Sequence, residues 1–268
     1  MKRIISLVFL SLAIVISMYP FLWMFLSSFK TNQEIYKPTL LFPAQYDLQA
    51  YTDLFSSTYI PFLQVFSNSF GLAVGQAILA TVISAGVGFA LSKCSFRGSA
   101  ALLSLAIFIV LVPKQTLAIP TFDWMSWLGW RGSLHSLLLP GAVTGLGVLF
   151  FFQVFKHVSD EWIDLARIEG MNRFQTYLVL LPLVSPGLVT FFLLHFVLCF
   201  HDHLLPLLLL TDENMTLPLA LSKLKDSSHR IPESVGMAAS TLSLIPILIL
   251  FVLAFDRLRT ALREVSVS

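Results

Sequence analysis

Residues Phe200-His201-Asp202-His203 place a carboxylate between two imidazoles inside an otherwise apolar run. Ionisable groups in such surroundings are costly, so they face a cavity or a partner and mark a path for solute or protons. On a helix, His195, Cys199 and Asp202 are spaced by four and three residues and share one face, with His203 beside it and His201 pointing elsewhere. Two readings fit this cluster. In one, Asp202 with its histidines lines a polar cavity; in the other, Asp202 pairs with a histidine or a backbone group at an interface. A metal site does not follow, because residues two apart on a helix diverge by about 200° and the two imidazoles cannot converge. An acid and base pair from Asp202 and His203 is chemically conceivable. It has no second convergent catalytic group, and His135 and His157 lie near span boundaries. Cys94 and Cys199 offer neither metal-ligand spacing nor a bridge and read as small apolar fillers.

The second chemistry-bearing stretch is Ser159-Asp160-Glu161-Trp162-Ile163-Asp164-Leu165-Ala166-Arg167-Ile168-Glu169-Gly170. It predicts a short amphipathic helix. Ser159 or Asp160 caps it, Asp160, Glu161 and Asp164 suit the positive end of the dipole, and Gly170 supplies a left-handed stop. Asn172 to Leu180 reads as a second short helix, halted by Leu181-Pro182. Trp162, Leu165, Ala166 and Glu169 fall on adjacent turns as an apolar ridge with a charged edge. A folded hairpin between apolar spans suggests a docking partner; the plainer alternative is a helix lying on the membrane surface. The chain contains no Gly-x-x-x-x-Gly-Lys-Ser/Thr phosphate loop.

The elements that must position both stretches are membrane spans. The chain is 56% hydrophobic and 12% charged, with 24 phenylalanines, and its mean hydropathy is +0.82. That is too apolar for a water-soluble fold. A net charge of +2, with scattered Lys and Arg, excludes a nucleic-acid footprint. A span needs about 20 mostly apolar residues, and six segments qualify: Ile4 to Phe29, Phe66 to Leu91, Ser99 to Ile119, Leu134 to Phe155, Pro182 to Leu210 and Val235 to Phe255. The third holds Pro113 and Lys114 near its far end, where the ammonium can snorkel. The first is an uncharged stretch of 26 residues with no A-x-A cleavage site, and is expected to be a retained helix rather than a signal peptide.

Six spans put both termini on one side. That side holds ten Lys and Arg against seven in the opposite loops, so the termini are expected to be cytoplasmic. In the outer loops, residues 46 to 59 have helical spacing, and Phe122, Trp124, Trp127 and Trp130 cluster in residues 121 to 130. Such rings form interfacial belts or, in rarer cases, sugar-stacking platforms. Gly71, Gly75, Gly86, Gly88, Gly141, Gly145 and Gly147 predict close helix packing.

The Ser159–Gly170 segment resembles the EAA loop of binding-protein-dependent ABC importer permeases. Asp164 stands for its Glu, Leu165 and Ala166 for the two Ala, Glu169 for the usual Asp, and Gly170 for the turn. Leu165 and Met171 depart from the expected alanines, and Leu181-Pro182 arrives one residue early. Other landmarks agree in order: Tyr19-Pro20-Phe21-Leu22-Trp23, Ser28-Phe29-Lys30, Asn68-Ser69, Phe96-Arg97-Gly98, Val112-Pro113, Ile119-Pro120 and Leu139-Pro140. Together they resemble the carbohydrate-uptake branch, and within it the second permease subunit of maltose-type and glycerol-3-phosphate-type systems. The tail from Phe255 to Ser268 lacks the usual Gly-containing ending.

The resemblance implies an all-α membrane protein with the type I ABC importer permease fold. It would be one permease domain over 1–268, with the first span and outer loop in 1–65, a five-helix core in 66–258 and the coupling loop in 159–181. It further implies a transport subunit, not an enzyme, in the bacterial inner membrane, working with a different permease, an ATPase dimer and an extracytoplasmic binding protein. The chain itself would bind no cofactor, with ATP and Mg²⁺ used by the ATPase. Glu161, Trp162, Asp164, Leu165, Ala166, Arg167, Glu169 and Gly170 would contact that ATPase. Phe200, His201, Asp202 and His203 would line the pathway for a sugar or sugar derivative. The alternative is an ion-coupled secondary transporter with Asp202 and His203 as proton relay; such carriers need no docking hairpin.

Overall fold

A computed structural model describes residues 2–37, 40–224 and 231–267, with side chains described for these residues up to 255 apart from residues 2 and 4. The side chains of the atypical tail lie outside the described residues. All regular structure among the described residues is helical. The chain packs as two units, one from Met1–Ser67 with Thr216–Ile247 and the other from Asn68–Met215 with Leu248–Ser268.

In the first unit, α1 (Lys2–Ser27) is apolar on every face, and the membrane-length stretch Ile5–Ser27 buries none of its most apolar window. A helix of this composition is at rest in lipid rather than in water. The chain then turns through a polar knot. Ser28 Oγ donates to the Phe25 carbonyl at 2.6 Å and lies 2.7 Å from the Tyr51 hydroxyl, while Lys30 Nζ donates to the Leu40 carbonyl at 2.6 Å. After α2 (Asn32–Ile35), the helical spacing seen in residues 46 to 59 appears as α3 (Gln49–Phe55).

The long helix α4 (Phe62–Lys93) leads from the first unit into the second. Then come α5 (Ser99–Leu111), a 3-10 turn at Lys114–Leu117, α6 (Ala118–Trp127), α7 (His135–Ala142), α8 (Gly145–Lys156), α9 (Asp160–Ile168) and α10 (Arg173–Leu180). The chain continues through α11 (Ser185–Phe200), α12 (Leu204–Leu209), α13 (Leu217–Leu224) and α14 (Glu233–Val267). Residues 62–93 and 233–255 form unbroken membrane-length helices like α1, and three bent pairs bring the apolar segments to six.

The third, fourth and fifth spans differ from the single helices expected. α5 stops at Leu111 because Val112, which precedes Pro113, adopts extended backbone with ψ 120°. Its 13 residues reach only about 20 Å, and the continuation through Trp127 is bent by 97°. The fourth span breaks at Val143 and Thr144, both extended, with a 40° bend between α7 and α8. In the fifth, α11 ends at Phe200 and three residues pass before α12 begins.

The second unit is held by aromatic packing. Phe151, Phe155 and Phe191 are wholly buried together with Phe89, Leu180 and Val184. The glycine pattern is selective. A Cβ on Gly88 would lie 2.7 Å from the Phe151 backbone and one on Gly145 2.5 Å from the Ala106 carbonyl, so these two permit close backbone approach, whereas Gly147 makes room for the side chains of Ser84 and Phe191. Gly71 and Gly86 face open space.

Candidate functional site

The hairpin of α9 and α10 is built by its caps. Ser159 Oγ accepts from the Glu161 amide at 3.3 Å, and Asp160 and Glu161 occupy the first turn, where the helix dipole favours them. At the other end the Met171 amide donates to the Ala166 carbonyl at 2.9 Å and the Gly170 amide to the Arg167 carbonyl at 3.0 Å. This is a Schellman closure, and Gly170 sits in it at φ +72°. Asn172 then caps α10 in a reciprocal box with Gln175, at 2.8 and 2.9 Å. Two residues, Gly170 and Met171, therefore separate the caps of the two helices.

The hairpin is tied to the apolar core from one side. Lys93, the last residue of α4, has a side chain only 6% exposed, and its Nζ donates to Asp160 Oδ1 at 2.5 Å and to the Val158 carbonyl at 2.6 Å. The Lys93 hydrogen bond, reinforced by its charge, holds the Asp160 carboxyl below the usual carboxylate range. Ile163 and Tyr177 pack on the aromatic cluster, and Tyr177 lies 5.3 Å from Phe89 between ring centroids. Burial pushes the Tyr177 hydroxyl above its ordinary value.

The opposite side is open. Trp162 and Leu165 are half exposed, and Ile168 is 81% exposed. Glu161, Asp164, Arg167 and Glu169 are exposed around them, Glu169 as the C-cap of α9. Asp164 and Arg167 pair at 3.2 Å with both side chains in solvent, a contact of little energetic consequence. Ala166 is the exception: at 7% exposure it turns inward, so it leaves the ridge expected of it and Ile168 takes its place. Ile168 follows from the same spacing, three residues beyond Leu165.

A second feature lies wholly within the second unit. A cavity of about 350 Å³ is lined by Gln76, Lys114, Thr144, His195, Cys199 and Asp202 among apolar neighbours. Asp202 thus meets His195 and Cys199, but from the turn after α11 rather than from a continuing helix face. Its Oδ1 accepts from the Leu204 amide at 3.1 Å. His201 and His203 are exposed and do not line the cavity, and Phe200 is buried away from it. Gln76 donates to the Leu137 carbonyl at 2.8 Å across Gly141, where a Cβ would fall 1.8 Å from the amide nitrogen. Sequence reading passed over Gln76 and the position of Lys114. Their signal is an amide deep in an apolar span and the lysine beside a span-breaking proline.

Residues 77–264 match the family model of the binding-protein-dependent transport system inner membrane component. The chain belongs to this family. The sulfoquinovosyl glycerol transport permease SmoH of Agrobacterium fabrum is 30% identical over 257 residues, covering 94% of this chain and 89% of that one. The trehalose/maltose transport permease MalG of Thermococcus litoralis is 26% identical over 257 residues, covering 94% and 92%. The fold superposes on a chain from the crystal structure of a bacterial ABC transporter involved in import of the acidic polysaccharide alginate, with a TM-score of 0.81 and 21% identity over 95% of each chain. As a binding-protein-dependent permease, the chain is a multi-pass membrane transport subunit and not an enzyme.

Proposed function

We propose that this permease is one of two different membrane subunits of an ATP-driven sugar importer, and that its α9–α10 hairpin is the joint that transmits ATP-driven motion to the spans. The observation that carries this reading is the two-sided hairpin. Its inner face is fixed to α4 and the aromatic core through Lys93, Ile163 and Tyr177, with Ala166 buried, while Trp162, Leu165 and Ile168 stand in the open. A rigid element with one face anchored and an apolar edge exposed moves the helices it is anchored to when something pulls on that edge. Glu161, Asp164, Arg167 and Glu169 surround the edge and supply charge complementarity to the ATPase.

The other parts of the machine follow from the family. Two ATPase copies hydrolyse ATP with Mg²⁺, because this chain has no phosphate loop. A second permease completes the pathway, and an extracytoplasmic protein delivers the sugar. Both termini lie in the cytoplasm of a bacterial cell, on the same side as the hairpin. Relatives named for arabinooligosaccharides, trehalose and sulfoquinovosyl glycerol support a sugar or sugar derivative as the cargo.

The test is co-purification from bacterial membranes of the native chain and of a Gly170→Pro, Glu169→Arg double variant. The native chain is expected to bring an ATPase and a second permease, and the variant to lose the ATPase. A native chain that comes away alone and still moves solute refutes the coupling reading in favour of an ion-driven carrier.

A further inference from the structure

The cavity of the second unit lies on a seam between two layers. On one side α5 and α11 each pack against α8; on the other α6 and α12 pack against each other, in a cluster that includes Met125 and Leu209. Both layers line the space, Ile109, Leu146 and Leu198 from the first and Thr121 and Leu205 from the second. Each crossing between them is a charged hinge. Lys114 follows the break after α5, and Asp202 follows the end of α11. These two helices run for 13 and 16 residues, about 20 and 24 Å, short of a hydrocarbon core about 30 Å thick. Both charges are therefore at membrane depth, where ionisable groups pair with one another.

Helix ends of both polarities face the cavity, so its side chains decide what it holds. Lys114 is the one ammonium in the lining and Asp202 the one carboxylate. Neither makes an ion pair among the described residues. Asp202 Oδ1 takes the Leu204 amide, which leaves the second oxygen without a partner among those residues. Gln76 adds a further acceptor: it is 8% exposed, gives its amide nitrogen to the Leu137 carbonyl, and its Oε1 accepts from none of the described residues. The charges of Lys114 and Asp202 both reach the Cys199 sulfur, with opposite effect. A flexible ammonium with unused N–H groups thus shares one small space with two unused acceptors.

Resting on the reading of the chain as an ATP-driven permease, we propose that Lys114 and Asp202 form a latch across this seam. With the cavity open, as in this structure, the two stand apart. With it closed, the ammonium crosses to Asp202 and to Gln76 Oε1, drawing the hinge of α5 onto that of α11 and shutting the space of about 350 Å³ between the layers. The latch is held in one nucleotide state and released in the other. Cys199 lines the cavity, so its access to a small reagent reports whether the latch is shut.

The experiment uses the transporter assembled with its ATPase and second permease, carrying Cys94→Ala so that Cys199 is the only thiol of this chain. N-ethylmaleimide labelling of the chain is timed without nucleotide and with a non-hydrolysable ATP analogue. The two rates are expected to differ about tenfold, within the range for coupled charges. Lys114→Met, Asp202→Asn and the two together should each label at the faster rate in both conditions, the pair no faster than either single change, because there is one latch to lose. Lys114→Arg keeps the nucleotide dependence, and asparagine at 202 keeps the acceptor for the Leu204 amide. Additive effects of the two single changes overturn the proposal. So do single changes that move labelling in opposite directions, which would be direct action of each charge on the thiolate. A complex that keeps its ATPase but labels at one rate with and without nucleotide refutes the latch alone, whereas a chain that recovers no ATPase refutes the importer reading beneath it.

Discussion

Gly170 turns the hairpin at φ +72°, and a Cβ at this position would meet no atom within 4 Å. Substitution there is therefore a test of backbone conformation uncomplicated by space. An L-residue in the left-handed region costs about 1–2 kcal/mol, asparagine tolerates it best, and a β-branched residue tolerates it worst. Gly170→Ala should thus destabilise the closed turn by about 1 kcal/mol, raising its opening equilibrium about fivefold. Gly170→Asn should cost a few tenths of that, and Gly170→Val clearly more. Hydrogen exchange of the Gly170 and Met171 amides, which close the turn on Arg167 and Ala166, reads the opening directly. ATPase recovered on co-purification should fall in the same order. Equal exchange for valine and glycine, or equal damage from all three substitutions, would refute the assignment of the turn to its φ.

Leu165→Ser removes an exposed apolar contact without touching the hairpin's inner face, and should weaken ATPase docking by about 2 kcal/mol, or about thirtyfold in Kd, with helix content unchanged. Ala166→Leu, by contrast, enters a buried position and should loosen the hairpin itself, visible as faster exchange in α10. Asp160, whose ordinary value is 3.8, is depressed in the folded state by Lys93. Its contribution is fully present above the ordinary value and lost as pH falls through the folded one, so protection of residues 160–170 should drop in acid for the native chain and be lower already at neutral pH in Asp160→Asn. Gly147→Ala puts a methyl 2.2 Å from Ser84 Oγ and 2.5 Å from Phe191 Cζ and should cost about 1–3 kcal/mol in thermal unfolding. Adding Ser84→Gly should recover part of it, the Phe191 contact remaining.

The hairpin was legible because its signals are local: a serine cap, acids in the first turn, a glycine stop and an asparagine cap after it. Which face turns inward was not. Spacing alone groups Trp162 with Leu165 and Ala166, and only the position of Phe89, Phe155 and Lys93 decides that Ile163 faces the core; Ala166 is buried while Ile168 joins the open edge. The span breaks were half legible. Val112-Pro113 marks one by the restriction proline imposes on its neighbour, but Val143-Thr144 has the composition of the helices it separates. The cavity joins residues 76, 114, 144, 195 and 202, a set no local pattern connects.

Asp202 shows how a correct grouping can rest on the wrong geometry. Extending α11 as a helix puts Asp202 on the His195 face, yet α11 ends at Phe200 and Asp202 reaches the cavity from an Asx turn that satisfies the first amide of α12. The carboxylate then has two roles, and two substitutions separate them. Asparagine keeps the acceptor and removes the charge; alanine removes both. Asp202→Asn should leave thermal stability near native and change sugar uptake, whereas Asp202→Ala should also lose about 1 kcal/mol as the Leu204 amide goes unpaired. Uptake unchanged in Asp202→Asn would confine Asp202 to the turn. Equal stability of the two variants would instead show that the hydrogen bond to Leu204 holds nothing in place, leaving solute contact as the reason for a carboxylate at this depth.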